Sequence, residues 1–263
     1  MTAAHGNAPQ LATDLLALHQ APEILTVVNC WDVVSAKVAA GTEGTRALAT
    51  ASHSIAATLG YPDGEQIPVE EMLDMCGRIA AAVDVPVSAD LEGGYGDAPE
   101  TIRKAIGLGI VGANIEDQLK PLAEAAAQVE AIMAVAEREG VPDFVLNART
   151  DAFVMAGDRD PVEVLADAIA RGKAYLDAGA PVVFVPGRVG EAEAAALIDA
   201  FGARRLSLIC TPVSLTPARM AELGVARVSF GPFAQRVALT AYQQLIEGAQ
   251  RGEGLPGDVR PLN

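Results

Sequence analysis

The sequence has no basic excess. Its 19 lysines and arginines stand against 34 aspartates and glutamates, a formal charge of −15 at pH 7. Nucleic acid and anionic membrane surfaces select for a basic footprint, so this balance argues against both as partners. No apolar run approaches the roughly 18 residues of a membrane span. The start, MTAAHGNAPQLATD, has neither the basic region nor the apolar core of a signal peptide, and a cytoplasmic location is the expectation. Cysteine is scarce: Cys30, Cys76 and Cys210 are odd in number, widely spaced and form no CxxC pair. They read as reduced structural thiols. Aromatic residues make up only 4 % of the chain, so the core must come from aliphatic strands covered by alanine-rich helices.

Familiar catalytic motifs are missing as well. No Walker lysine loop, GxSxG, HExxH or zinc-spaced Cys/His set occurs. Gly107-Leu-Gly109-Ile-Val-Gly112 has the GxGxxG spacing but runs from helix to strand, the reverse of a dinucleotide fingerprint, and reads as a helix cap leading into a strand. Hydride transfer, ATP hydrolysis and serine-hydrolase chemistry therefore lose their support.

What is present is a repeated alternation. Short β-branched runs at 23–29, 46–51, 85–90, 111–116, 143–149, 181–186, 205–210 and 226–230 alternate with Ala/Leu/Glu-rich helical stretches. Gly109, Gly179 and Gly224 each stand where a helix must end in a left-handed residue. Eight nearly continuous apolar strands predict a closed (β/α)8 TIM barrel, with an open doubly wound sheet as the structural alternative. No linker divides the 263 residues, so one domain is expected, with an N-terminal arm over about 1–20 and a C-terminal helix and arm over about 232–263. That alanine-rich last helix is expected to be exposed and available to a second subunit.

In such a barrel the chemistry sits at the C-terminal strand ends, and here those ends are polar. The third strand ends in Asp90-Leu91-Glu92-Gly93-Gly94, the fourth in Asn114-Ile115-Glu116-Asp117 and the fifth in Asn147-Ala148-Arg149-Thr150-Asp151. Asp90 and Glu92 lie two apart, so persisting strand geometry would aim both carboxylates to one side. With Glu116 and the loop residue Asp63 they form a cluster without a lysine, which is costly unless a cation sits in it. Oxygen donors without His or Cys select Mg²⁺ or Mn²⁺. The alternative is a set of solvated loop acids and helix caps. Arg149 suits a substrate carboxylate or, equally on spacing, a structural salt bridge to Asp151 or Glu116. His53, in Ser52-His53-Ser54, reads as a proton donor, a substrate contact or a hydrogen-bonded turn residue.

At these residues the chain resembles the isocitrate lyase/phosphoenolpyruvate mutase superfamily over roughly residues 14–240. The resemblance is carried by NCWDVVSAKV, ATASHSIAATLGYPDGE, VPVSADLEGGYGD, GIVGANIEDQ and FVLNARTDAF. It implies a (β/α)8 barrel, usually a tetramer with its last helix exchanged between paired subunits, acting with Mg²⁺ on 2-oxo or 2-hydroxy carboxylates. By position it assigns the metal motif to Asp90 and Glu92, with Glu116 and Asp63 completing the set, and the substrate arginine to Arg149. The carboxylate-cradling backbone falls on Ser52, His53 and Ser54, and Trp31 and Asn147 join the candidate substrate contacts. Two departures stand out. The second acid of the metal motif is Glu92 rather than aspartate, and Glu116-Asp117-Gln118-Leu119-Lys120-Pro121 runs into a helix without the lyase Lys-x-Cys-Gly-His loop or the mutase Asn-Ser loop.

The implied activity is cleavage of a carbon–carbon bond in a small 2-oxo or 2-hydroxy dicarboxylate through an enolate, resembling oxaloacetate decarboxylation or substituted-malate cleavage. A homo-oligomer, dimer or tetramer, is the implied assembly. The alternatives are a P–C bond enzyme of the phosphonopyruvate hydrolase or phosphonomutase type, with Lys120 as a further cation, and a non-catalytic carboxylate- and metal-binding barrel.

Overall fold

The structure, a computed structural model, describes residues 7–262, so the first six residues of the expected N-terminal arm lie outside the described residues. All eight expected strand regions form and all pair in parallel. They are β1 (Leu25–Val27) and β2 (Asn29–Cys30), β3 (Leu48–Thr50), β4 (Val87–Asp90), β5 (Gly112–Glu116), β6 (Val145–Arg149), β7 (Val182–Phe184), β8 (Leu206–Ile209) and β9 (Arg227–Ser229). The first region is split at Val28, and there the ring closes: β1 pairs with β9 while β2 pairs with β3. Parallel strands need long crossovers, and the intervening helices supply them.

The helices are α1 (Ala8–Gln20), α2 (Val33–Ala40), α3 (Ser52–Leu59), α4 (Val69–Ala80), α5 (Ala98–Gly107), α6 (Leu122–Arg138), α7 (Pro161–Asp177), α8 (Glu191–Phe201), α9 (Pro217–Leu223) and α10 (Phe233–Gln250). Buried alanines such as Ala36, Ala105, Ala136, Ala168 and Ala194 let them lie close to the strands. On α7 even alanine is too large, since a Cβ on Gly172 would stand 2.2 Å from the Phe201 ring. Gly109, Gly179 and Gly224 adopt φ of +90°, +100° and +94°, the left-handed helix ends read from the sequence.

Three expectations need correction. The described part of the N-terminal arm is a helix: α1 buries Ala8, Ala12, Leu15 and His19 along one face and lies against the N-terminal ends of the strands. There a Cβ on Gly112 would meet Leu15 at 2.8 Å, so glycine at the start of β5 admits the helix. Second, Ser52-His53-Ser54 is the first turn of α3 rather than a turn of loop. Third, the strands are not continuously apolar. Asn29, Thr50, Ser88, Asn114, Asn147, Ser207, Arg227 and Ser229 are buried on them, and Arg227 Nη1 donates to Ser88 Oγ at 3.1 Å between strands that are not neighbours, hence across the barrel interior.

At the other end of the chain, α10 buries only Gln235 and Gly248. Gln235 Nε2 ties its first turn to α3, donating to Ser54 O at 3.1 Å and Thr58 Oγ1 at 3.0 Å. Beyond that anchor Val237, Leu239, Tyr242 and Ile246 are exposed, as the sequence suggested. The three cysteines are free, and burial pushes the thiols of Cys30 and Cys76 up to about 12, which leaves them protonated and inert.

Candidate active site

Residues at the C-terminal ends of the strands surround a cavity of about 280 Å³. One wall carries Asn29 of β2, Ser52 and His53 of α3, Asp90 of β4, Asn114 of β5 and Arg149 of β6, together with Asp63 from the β3–β4 connection. Each is a strand-end or following-loop position, where side chains are freed from the packed barrel interior.

Asp90 is held from several directions. Its amide donates to Thr50 Oγ1 at 2.9 Å, and its Oδ2 accepts from Ser52 N at 3.1 Å and Ser52 Oγ at 2.7 Å. The Ser52 amide is one of the free N–H groups at the start of α3, where a helix favours negative charge. Oδ1 is left with Asn114 Nδ2 at 3.5 Å. Beneath it, Asn147 Nδ2 donates to Asn114 Oδ1 at 2.7 Å, which fixes the amide of Asn114 with its donor end toward Asp90. Asn147 is thus a support below the cavity and does not line it.

Glu92 does not face the same way as Asp90. β4 ends at Asp90 and Glu92 takes φ +52°, so the strand alternation that would have aligned the two is broken. Its side chain is buried, with Oε1 accepting from Tyr95 OH at 2.9 Å and Oε2 from the amide of Glu65. Burial pushes its carboxyl up, the Tyr95 and Glu65 bonds pull it down, and the charges of Asp90 and Asp63 push it up again. Glu116 also lies off the cavity wall, paired to Arg149 Nη1 at 2.7 Å. Burial dominates there too: despite Arg149, and with Asp151 and Asp90 adding repulsion, its carboxyl is pushed up to about 7.

Arg149 joins both worlds. Its Nε and Nη2 contact Asp151 Oδ1, each at 2.7 Å, and its Nη1 contacts Glu116, so the structural ion pairs weighed from the sequence are both present. A guanidinium has five N–H donors, and these contacts use three. Behind it stands a network that sequence reasoning missed. Asp117 Oδ1 accepts from the Asp151 amide at 3.0 Å, and its Oδ2 accepts from Arg171 Nη1 at 3.1 Å and Tyr175 OH at 2.5 Å. Arg171 and Tyr175 lie in the C-terminal half of α7, and nothing in the local sequence marks them.

Ser54 and Trp31 fall outside this cavity. The Ser54 amide donates to Ala51 O at 3.1 Å as part of α3, and its hydroxyl is buried without a partner. Trp31 lines a separate apolar cavity of about 440 Å³ between α2 and the start of α10. Lys120 is also elsewhere, its Nζ on Gln128 Oε1 at 3.3 Å. His53 remains on the wall, with Nδ1 buried and unpartnered.

Among the described residues no three His, Cys, Asp or Glu side chains form a ready-made metal cage. The donor chemistry nevertheless fits a hard divalent cation. Asp90 Oδ1 and Asp63 are carboxylate oxygens on the wall, Glu92 and Glu116 stand behind them, and Arg149 is the single cation among these groups. The carboxyls of Glu92 and Glu116 are raised first by burial, and the neighbouring carboxylates Asp90, Asp63 and Asp151 add to the rise.

The phosphoenolpyruvate phosphomutase family profile matches residues 15–249. An uncharacterized protein of Mycobacterium tuberculosis is 33 % identical over 245 residues, covering 92 % of this chain and 91 % of the relative. The oxaloacetate decarboxylase of Paraburkholderia xenovorans is 31 % identical over 256 residues, covering 90 % of this chain and 82 % of the relative. Among solved structures, a phosphonomutase-type protein of Burkholderia cenocepacia superposes with a TM-score of 0.83 at 37 % identity, covering 93 % of this chain and 99 % of that one. The barrel, the acid-bearing strand ends and these matches agree: the chain belongs to the phosphoenolpyruvate mutase family, within the isocitrate lyase/phosphoenolpyruvate mutase superfamily.

Proposed function

We propose that the protein is a Mg²⁺- or Mn²⁺-dependent lyase that breaks a carbon–carbon bond of a small 2-oxo or 2-hydroxy dicarboxylate through an enolate. The observation that carries this reading is the state of Asp90. Ser52 occupies Oδ2, while Oδ1 has no partner within 3.5 Å other than Asn114, on a wall shared with Arg149.

Asp90 would hold the ion directly, with Asp63, Glu92 and Glu116 holding its waters. Bound there, the ion supplies Lewis-acid stabilisation of the negative charge that develops on the substrate's 2-oxo oxygen. Arg149 keeps two N–H donors beyond its ion pairs, a number that matches the two oxygens of one carboxylate. The Ser52 amide is already taken by Asp90, and the His53 amide at the start of α3 adds favourable potential for the same anion. His53 is the wall side chain able to return a proton to C3 after the bond beyond it has broken. Loss of CO₂ needs no acid at the leaving group, which suits a chain without the cysteine-bearing loop. Lys120 does not line the cavity, so a departing phosphoryl group would find no cation besides Arg149, and P–C cleavage is the weaker reading.

The exposed apolar side chains of α10 support assembly into a homo-oligomer, a dimer or tetramer with that helix covered by a partner copy. A cytoplasmic setting belongs to the same reading. The test is pyruvate and phosphate release from oxaloacetate, 2,3-dimethylmalate and phosphonopyruvate, with Mg²⁺ and with EDTA. Metal-dependent pyruvate release without phosphate supports the lyase; phosphate release replaces it with P–C chemistry, and inertness toward all three favours the non-catalytic barrel.

A further inference from the structure

Among the described residues the largest fully buried side chain is a charged one, Arg227 of β9, 1 % exposed. Of its guanidinium nitrogens Nη1 donates to Ser88 Oγ at 3.1 Å, while Nε and Nη2 are buried without a partner. Its depth is fixed by the strands. Asp90, Ile209 and Ser229 line the cavity, and Ser88, Ser207 and Arg227 stand two positions before them on β4, β8 and β9. Residues two apart on a strand share a face and lie about 7 Å apart along it. Arg227 and Ser207 are also register partners, so the guanidinium occupies the layer directly beneath the cavity floor.

Nothing in that layer supplies a counter-charge. Ser88 and Ser207 are uncharged, and the buried Oγ of Ser207 is itself without a partner. His19 of α1 is neutral, because desolvation and then the charge of Arg227 hold its imidazole down at about 3. Its Nδ1 meets Leu15 O at 2.8 Å and must donate there, so Nε2 offers only a lone pair. Burial lowers the guanidinium to about 10, which leaves it charged at neutral pH, and Asp90 is the acid whose charge raises it again. A buried cation without an ion-pair partner costs stability. The negative charge that balances this one belongs above it, in the cavity.

We infer that Arg227 is a positioning residue, a fixed positive charge under the cavity floor that strengthens binding of the anionic substrate and opposes binding of the free metal ion. It touches neither. Across about 10 Å of protein a unit charge changes affinity by about 10-fold, with opposite sign for an anion and a cation. The same potential favours the negative charge of an enolate. The inference rests on the proposed binding of a carboxylate head and Mg²⁺ at Asp90 and Arg149.

Calorimetry on Arg227→Met tests it, with Mg²⁺ alone and oxalate in saturating Mg²⁺ as the probes. Methionine fills much of the space and removes the charge. Oxalate is expected to bind about 10-fold more weakly than in the wild type and Mg²⁺ about 10-fold more tightly, with the urea midpoint unchanged or raised. Ser88→Asp reaches the same end with the arginine in place, since a carboxylate there pairs with the guanidinium and cancels its field. Both affinities are expected to move in the same directions as in Arg227→Met. Opposite signs separate a charge from a structural prop, whose loss would weaken both ligands together. Parallel weakening in the two variants, or no change in either, overturns the inference and leaves the lyase reading standing. Failure of the wild type to bind oxalate in Mg²⁺ overturns that reading and the inference with it.

Discussion

Asp90 and Ser52 are locked together by two hydrogen bonds, from the serine amide at 3.1 Å and its hydroxyl at 2.7 Å, both to Asp90 Oδ2. The pair joins the end of β4 to the first turn of α3 and leaves the other carboxylate oxygen with only Asn114 Nδ2, at 3.5 Å. Asp90→Ala is expected to lower Mg²⁺-dependent pyruvate release by about 100-fold or more. The unpaired Ser52 should cost about 1–2 kcal/mol of stability. Circular dichroism and steady-state kinetics check both; full activity in the variant removes the assignment.

Arg149 is clasped by Glu116 and Asp151, whose side chains are 16 % and 3 % exposed. Arg149→Met strands both acids and is expected to cost about 3–5 kcal/mol in urea unfolding. Adding Glu116→Gln should recover part of the loss. Arg149→Lys keeps a charge but not the fork, so KM for the carboxylate substrate should rise more than kcat falls. An unchanged KM leaves Arg149 with only its structural role.

Burial raises the Glu116 carboxyl to about 7, so below that pH the metal-free site holds a proton that ligand waters must displace. Mg²⁺ affinity is expected to increase from pH 6 to pH 8, with proton uptake by the buffer. Glu116→Gln should flatten that dependence. A profile identical in the variant would show that another group is responsible.

His19 is buried beneath the barrel, and desolvation, reinforced by the charge of Arg227, holds its imidazole down at about 3. The unfolded chain takes up this proton near pH 6.5 while the folded chain does not. Its contribution to stability is therefore complete above about pH 6.5 and is lost as pH falls toward 3. Urea midpoints for the wild type and His19→Gln should converge at acid pH. Parallel profiles would show that His19 does not couple folding to protons.

The exposed helix α10 carries Val237 and Tyr242, 71 % and 60 % exposed. Val237→Asp with Tyr242→Glu is expected to shift the sedimentation profile from oligomer to monomer. A wild type that already sediments as a monomer would refute the assembly proposal.

The strand order, the glycine helix ends and the polar strand tips were legible because each rests on short-range patterning: β-branched runs, left-handed stops and acids placed just past a strand. The same locality misled at Ser52-His53-Ser54. Serines flanking a histidine look like a turn, and only Asp90 poised at the first amides reveals why a helix starts there. Glu92 failed for a related reason, because a single residue at φ +52° ended the alternation that would have aligned it with Asp90.

The order of residues along the chain was enough to determine eight βα repeats, the acids at the strand ends and the family, since each follows from neighbours a few positions apart. Only the tertiary structure decided which acids reach the cavity, that Arg149 is already clasped by Glu116 and Asp151, and that Phe184, Ile209 and Phe233 line the same cavity as Asp90 and Arg149. Those facts depend on side chains far apart in sequence competing for the same few ångströms, and closure of the barrel is what brings them into competition.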